Sequence, residues 1–295
     1  MKLSNISIGK NLARDAARPA ALTLLLLLLL TLTLPQAQAH KFTLKRLNPP
    51  GSTYSFAFGL NNNGKVVGSF VNAKSVYEGF IYDGSTYKKI SRSASLTEAN
   101  GVNDNNIVVG DYIGKDHLSH GFFLRDGQLV PFDASGNNVS TYIYAINNAG
   151  NFVGYTQKQG ERANAYVNLG GTVKHFTFRG NYTFAFGIDS KNEIVGWFID
   201  SSFLMHGFYR GAGGTMTQID YPGAATTSCL GINDLGEITG LYVDTNNVSH
   251  GFIQKKGKFR TVRLPDVAGI NNDGVFVGSY IATNNKNYGY LATPR

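Results

Sequence analysis

Two hydrophobic patterns divide the chain. From Ala20 to Leu34 apolar residues run almost without a break and include seven consecutive leucines. From residue 40 onward they come in short stretches, separated at regular intervals by segments rich in Gly and Asn. Short apolar stretches bounded by turn residues predict strands, and their regular recurrence predicts an all-β repeat protein.

The copies align residue by residue at a spacing of about 42 residues. Anchored at Gly59, Gly101, Ala145, Gly187, Gly231 and Gly269, each copy has a glycine nine residues later, at Gly68, Gly110, Gly154, Gly196, Gly240 and Gly278. Twenty residues after the anchor stand Gly79, Gly121, Ala165, Gly207, Gly251 and Gly289, each followed by Phe or Tyr. Each copy reads as four strands. Strand A carries the anchor, as in Thr183-Phe184-Ala185-Phe186-Gly187-Ile188. Strand B is the Ile-Val-Gly segment, as in Ile194-Val195-Gly196-Trp197-Phe198. Strand C opens with His-Gly-Phe or a variant, and strand D resembles Gln218-Ile219-Asp220-Tyr221-Pro222-Gly223. Turns between A and B, such as Asn61-Asn62-Asn63-Gly64, end on Gly in four copies and on Asn106 and Asn192 in the other two. Both residue types tolerate positive φ, which predicts a left-handed conformation at that position.

The sixth copy has no strand D, and Lys41 to Gly51 matches the strand D pattern at the other end of the chain. If that segment completes the last repeat, the array closes into a ring. The expected fold of residues 40–295 is therefore a six-bladed β-propeller, with D outermost and A lining a central channel.

Gly231-Ile232-Asn233-Asp234, His250-Gly251-Phe252 and Asp220-Tyr221-Pro222-Gly223 resemble the HAF repeats of probable bacterial extracellular proteins, and the likeness spans nearly all of residues 40–295. The resemblance implies export and a propeller-like fold. It brings no established activity and no catalytic residues.

Composition fits this picture, with 35 Gly and only 16% charged residues. Residues 1–39 read as a cleaved signal peptide. Lys2, Lys10, Arg14 and Arg18 form a basic start, Ala20–Leu34 is too short for a span of about 20 residues, and Ala37-Gln38-Ala39 is a small-x-small cleavage site. The mature chain would begin at His40 and be extracellular or periplasmic, with no transmembrane anchor. Four basic residues and Asp15 leave with the leader, so the formal charge falls from +8 to +5. The single cysteine, Cys229, cannot form a disulfide within the chain. Its repeat position holds Ala57, Ala99, Ile143, Ala185 and Val267 elsewhere, which predicts a core residue.

Candidate chemistry lies where one copy departs from the rest. Three residues before the anchor the copies read Phe56, Glu98, Tyr142, Phe184, Ser228 and Asp266. Glu98 and Asp266 thus put carboxyl groups on the channel strand, and Asn100 adds a polar neighbour. Such a pair suits acid–base or nucleophilic work on a glycan. Tyr142, Tyr155 and Trp197 offer rings on which sugars stack, if they are exposed. His120, His206 and His250 share one repeat position off the axis, too far apart to converge on one ion, and are expected to link strands within each blade. No cofactor or metal is expected, at His40 or elsewhere.

Basic residues cluster on three neighbouring blades. Lys255, Lys256, Lys258, Arg260 and Arg263 lie on blade 5, Lys41, Lys45, Arg46 and Lys286 on blade 6, and Lys88, Lys89 and Arg92 on blade 1. This flank suits an acidic polysaccharide, although lysines on outer strands also guard sheet edges against aggregation. Nucleic acid is not an expected partner of an exported protein. The leading reading is a non-enzymatic binding protein for a carbohydrate or anionic envelope polymer. The alternatives are a polysaccharide lyase or glycoside hydrolase using Glu98 and Asp266, and a protein-interaction scaffold.

Overall fold

A computed structural model describes residues 42–92 and 96–295, so the leader read at 1–39, with His40 and Lys41, lies outside the described residues. The described residues form 24 strands in six four-stranded antiparallel sheets. In blade 1 the hydrogen-bonded order is Ser52–Leu60, Val66–Asn72, Tyr77–Tyr82 and Tyr87–Ile90, which are strands A to D. Among the described residues no helix is long and apolar enough to cross a membrane.

The ring closes as the repeat predicts. Strand Phe42–Leu47 pairs antiparallel with Asn287–Pro294, from Phe42↔Pro294 to Leu47↔Gly289, and so becomes strand D of blade 6. Leu47 is fully buried and packs with Ala57 and Phe80 of blade 1 and Val277 of blade 6, which ties the first and last blades into one core. Across the same junction Asn287 Nδ2 donates to the Ser55 carbonyl at 2.8 Å, and Lys45 reaches the Tyr82 hydroxyl.

Steric crowding accounts for the invariant glycine of strand B. A Cβ on Gly196 would sit 1.9 Å from the Phe184 carbonyl oxygen and 2.9 Å from the Phe208 ring, and Gly68, Gly110, Gly154 and Gly240 meet the equivalent carbonyl at 1.8–1.9 Å. The A–B turns adopt the expected left-handed conformation, with φ from 63° at Asn106 to 81° at Gly150.

One feature of strand A was not foreseen. Its register with strand B slips just before the anchor, between Ala57 and Gly59 and at the equivalent sites of blades 2 to 5. The bulge places an extra residue one before the anchor; the residues one before and one after each anchor line the channel, joined in blades 1, 2 and 6 by the residue three before it.

Candidate functional site

The channel holds a cavity of about 180 Å3. Its floor is a ring of aliphatic side chains one residue after each anchor, Leu60, Val102, Ile146, Ile188, Ile232 and Ile270. The same ring roofs a smaller recess of about 80 Å3 at the opposite end, lined by Asn and Asp of the A–B turns. Above the floor the walls differ from blade to blade. Blade 1 contributes Phe56 and Phe58, whose rings lie nearly parallel at 6.3 Å. Glu98 and Asn100 flank them from blade 2, and Asp266 flanks them from blade 6. Blade 4, across the ring from blade 1, contributes Phe186 and Trp197, with Phe184 stacked behind the indole at 4.0 Å.

The structure therefore brings the two sequence-predicted carboxyls to one cavity. Glu98 is buried, and its Oε1 accepts from Ser69 Oγ at 3.3 Å. Asp266 Oδ1 accepts the Ser279 backbone N–H at 2.8 Å. Among the described residues, the second oxygen of each has no hydrogen-bond partner. Burial pushes both groups up to about 7, against the weaker pull of their hydrogen bonds.

A third carboxyl lies buried behind the cavity wall and was missed from the sequence. Asp111 is the cross-strand partner of Glu98 and is also buried. Burial first, and the nearby Glu98 charge second, hold it well above the usual carboxylate range, so the two titrate as a pair. Asn100 Nδ2 bridges Asp111 Oδ1 and the Ile143 carbonyl, both at 2.9 Å, which occupies the donors that a ligand would use. The signal for Asp111 was present: the residue after the strand B glycine reads Ser69, Asp111, Tyr155, Trp197, Leu241 and Ser279. Testing strand B for departures, as was done for strand A, finds it.

The stacking platform needs correction. Tyr142 and Tyr155 are cross-strand partners that stack on each other at 4.4 Å, and they are only 5% and 2% exposed. They belong to the core between blades 3 and 4 and offer no face to a sugar. Trp197 is 1% exposed, yet it forms part of the cavity wall, and its indole N–H is buried without a hydrogen-bond partner.

The basic flank is not part of this cavity. Lys255, Lys256, Lys258 and Arg260 are all exposed. Lys255 pairs with Glu237 at 3.1 Å, and Arg260 lies 5.6 Å from the Phe42 ring of blade 6. Glu237 directly follows the Asn233–Gly236 turn, so the Lys255–Lys258 hairpin sits at the turn end of the ring, away from the carboxyls. The three repeat-position histidines link neighbouring strands and loops as expected. His120 lies between Asp116 and Asp133, His206 between Asp200 and Asp220, and His250 beside Asp244. Cys229 is fully buried.

The sequence matches no family model and no curated protein. Several solved structures resemble the fold. A triple arginine-to-alanine mutant of AofleA from Arthrobotrys oligospora is 14% identical over 85% of this chain and 86% of that one, with a TM-score of 0.51. The β-propeller domain of the Trilobed protease from Pyrococcus furiosus is 10% identical over 82% and 94%, with a TM-score of 0.48. The six-bladed fucose-recognising lectin of Aleuria aurantia is 12% identical over 78% and 80%, with a TM-score of 0.43. At such identities the likeness concerns the fold alone.

Proposed function

We propose that this chain is an exported carbohydrate-binding propeller of the HAF-repeat type, freed of residues 1–39, that takes one sugar residue of a glycan into its central channel. One observation carries the reading: a cavity with aromatic faces on opposite blades and carboxyl oxygens between them. Aromatic rings cover the C–H faces of a sugar, while hydroxyls lose water on entry and must find new acceptors. The second oxygens of Glu98 and Asp266 are such acceptors, and Trp197 adds its ring to the cavity wall. A volume of about 180 Å3 falls below the roughly 300–1,000 Å3 of drug-sized sites and suits a single ring. An anionic sugar would be repelled by the carboxyls. Binding to an anionic envelope polymer therefore falls to the basic flank, outside the cavity.

A glycan array with the wild type, Glu98→Gln and Asp266→Asn tests the reading. Wild type is expected to bind a defined glycan set, and each variant to bind at least about tenfold more weakly, the loss of one charge-assisted hydrogen bond. Folded wild-type protein that binds no glycan would refute it. A second reading, a glycoside hydrolase or polysaccharide lyase, is favoured by the elevation of both carboxyls to about 7, where a buried acid can donate a proton at neutral pH. Product analysis on the bound glycans separates the two, since only an enzyme gives turnover that Glu98→Gln or Asp266→Asn abolishes.

A further inference from the structure

Two carboxyl groups, Glu98 and Asp266, line the acidic end of the cavity, with Asp111 buried behind Asn100, and among the described residues no Lys, Arg or His lines it. The other titratable groups felt by these carboxyls are tyrosines, Tyr77, Tyr142, Tyr144, Tyr155, Tyr166 and Tyr290, which burial raises above their ordinary values and which supply no positive charge. Buried charges are ordinarily paired with an opposite charge. Among the described residues no such partner lines the cavity, and aromatic side chains share its wall with the carboxyls. Phe56 and Phe58 lie between the two acidic blades, and a cation over such a ring gains about 0.5–2 kcal/mol, more as water is excluded. Across the ring Trp197 lines the same cavity and gives a sugar ring an aromatic neighbour that a cation alone does not need.

We propose that the sugar residue selected by the channel is an amino sugar, its ammonium held between Glu98 and Asp266 against the Phe56–Phe58 faces and its ring directed toward Trp197. The proposal rests on the carbohydrate-binding reading and names its substrate class. An ammonium has three donors to offer the unpartnered carboxyl oxygens that line the cavity. Acetylating the nitrogen removes the charge and adds volume. Binding also acquires a pH dependence. A carboxyl raised to about 7 is ionised in about one molecule in a hundred at pH 5, so the cation must first displace protons there and affinity rises toward neutral pH.

Titration calorimetry tests this with 2-amino-2-deoxyglucose, its N-acetyl form, glucose and cyclohexylamine, at pH 5 and pH 7.5. The amino sugar is expected to bind at least about tenfold more tightly than either neutral sugar at pH 7.5, and to lose most of that margin at pH 5. In Glu98→Gln and Asp266→Asn, shown by thermal unfolding to be folded, the ratio of amino-sugar to neutral-sugar affinity should shrink toward one, beyond any loss common to all the sugars. Equal binding of amino and neutral sugars would overturn the proposal and leave the carbohydrate reading standing. Cyclohexylamine binding as tightly as the amino sugar, with neither neutral sugar binding, would overturn both. Failure of all four compounds would do the same.

Discussion

Replacing Asp189 with asparagine is expected to stabilise the ring at pH 8 by about 3–4 kcal/mol. Two residues after each anchor the copies read Asn61, Asn103, Asn147, Asp189, Asn233 and Asn271. Each asparagine donates Nδ2 to the backbone carbonyl of its counterpart on the next blade. These bonds run from Asn61 to Asn103 at 2.9 Å, Asn103 to Asn147 at 3.1 Å, Asn147 to Asp189 at 2.8 Å, Asn233 to Asn271 at 3.0 Å and Asn271 to Asn61 at 3.3 Å. The belt is broken only between Asp189 and Asn233, because an ionised carboxylate cannot donate. Asp189 Oδ2 is buried with no hydrogen-bond partner, and burial, reinforced by the nearby Glu193, pushes the group up to about 6. Holding it ionised above that pH costs about 3 kcal/mol relative to an ordinary aspartate. An amide removes the charge and supplies the sixth bond, worth about 1 kcal/mol. For a domain of this size the gain is roughly 6–16 °C in Tm, read by circular dichroism. The cost arises between the unfolded value of 3.8 and the folded value of about 6, so the variant's charge-derived advantage should fall by about half at pH 5 and nearly vanish at pH 4. A variant that melts below wild type at pH 8, or one whose advantage does not change with pH, refutes the belt argument.

Three further predictions use other departures from the repeat. Glu98→Gln and Asp266→Asn should each raise stability by about 3–4 kcal/mol at pH 8, because acids raised to about 7 destabilise the fold progressively as pH climbs from about 4 to 7; equal melting of wild type and variants across that range would count against it. Phe203 occupies the left-handed corner of the blade 4 B–C turn at φ 61°, where the other blades have Ser75, His117, Gly160, Asn247 and Asn285. Phe203→Gly should therefore add about 1 kcal/mol in denaturant unfolding, since the ring is 44% exposed and loses little packing. At His120, burial lowers the imidazole but Asp116 and Asp133 outweigh it and leave the group raised, so its stabilisation is full below about 6.5 and fades as pH rises past the folded value. Asp133→Asn should accordingly lose up to about 1 kcal/mol at pH 5.5 and almost nothing at pH 8.5 in paired melts.

The ring was readable from the chain because its determinants recur six times at fixed offsets. Gly196 and four of its five counterparts mark close backbone approach, Asn106 and Asn192 replace Gly where φ must be positive, and Phe42–Leu47 repeats the pattern of a D strand. The site was half readable. Glu98 and Asp266 stood out because they replace rings on the strand that faces the axis. Asp111 did not, since cross-strand pairing, which repeat alignment of strand A alone cannot show, is what places it beside Glu98. Exposure was read wrongly for Tyr142 and Tyr155 for the same reason: each supplies the other's cover across the strand pair. The bulge before the anchor leaves no residue-type signature beyond the small anchor itself.

The carboxyl groups set the cavity apart from an incidental gap in the ring. Blades 1, 3 and 4 place Phe56, Tyr142 and Phe184 where blades 2 and 6 place Glu98 and Asp266, so the fold does not need acids there. At pH 8 the two together cost about 7 kcal/mol, of the same order as the 5–15 kcal/mol that separates a typical domain from its unfolded state. A purely structural role would require a cationic side chain beside them to offset that cost, and the cavity wall has none. Asp189 makes the contrast clear. It too is a buried acid in a ring of uncharged counterparts, but it faces no comparable aromatic wall, and its replacement should improve the protein without loss of binding. Replacement of Glu98 or Asp266 should improve stability and weaken binding together. That opposition between stability and affinity, measured on the same variants, distinguishes a binding site from a defect in packing.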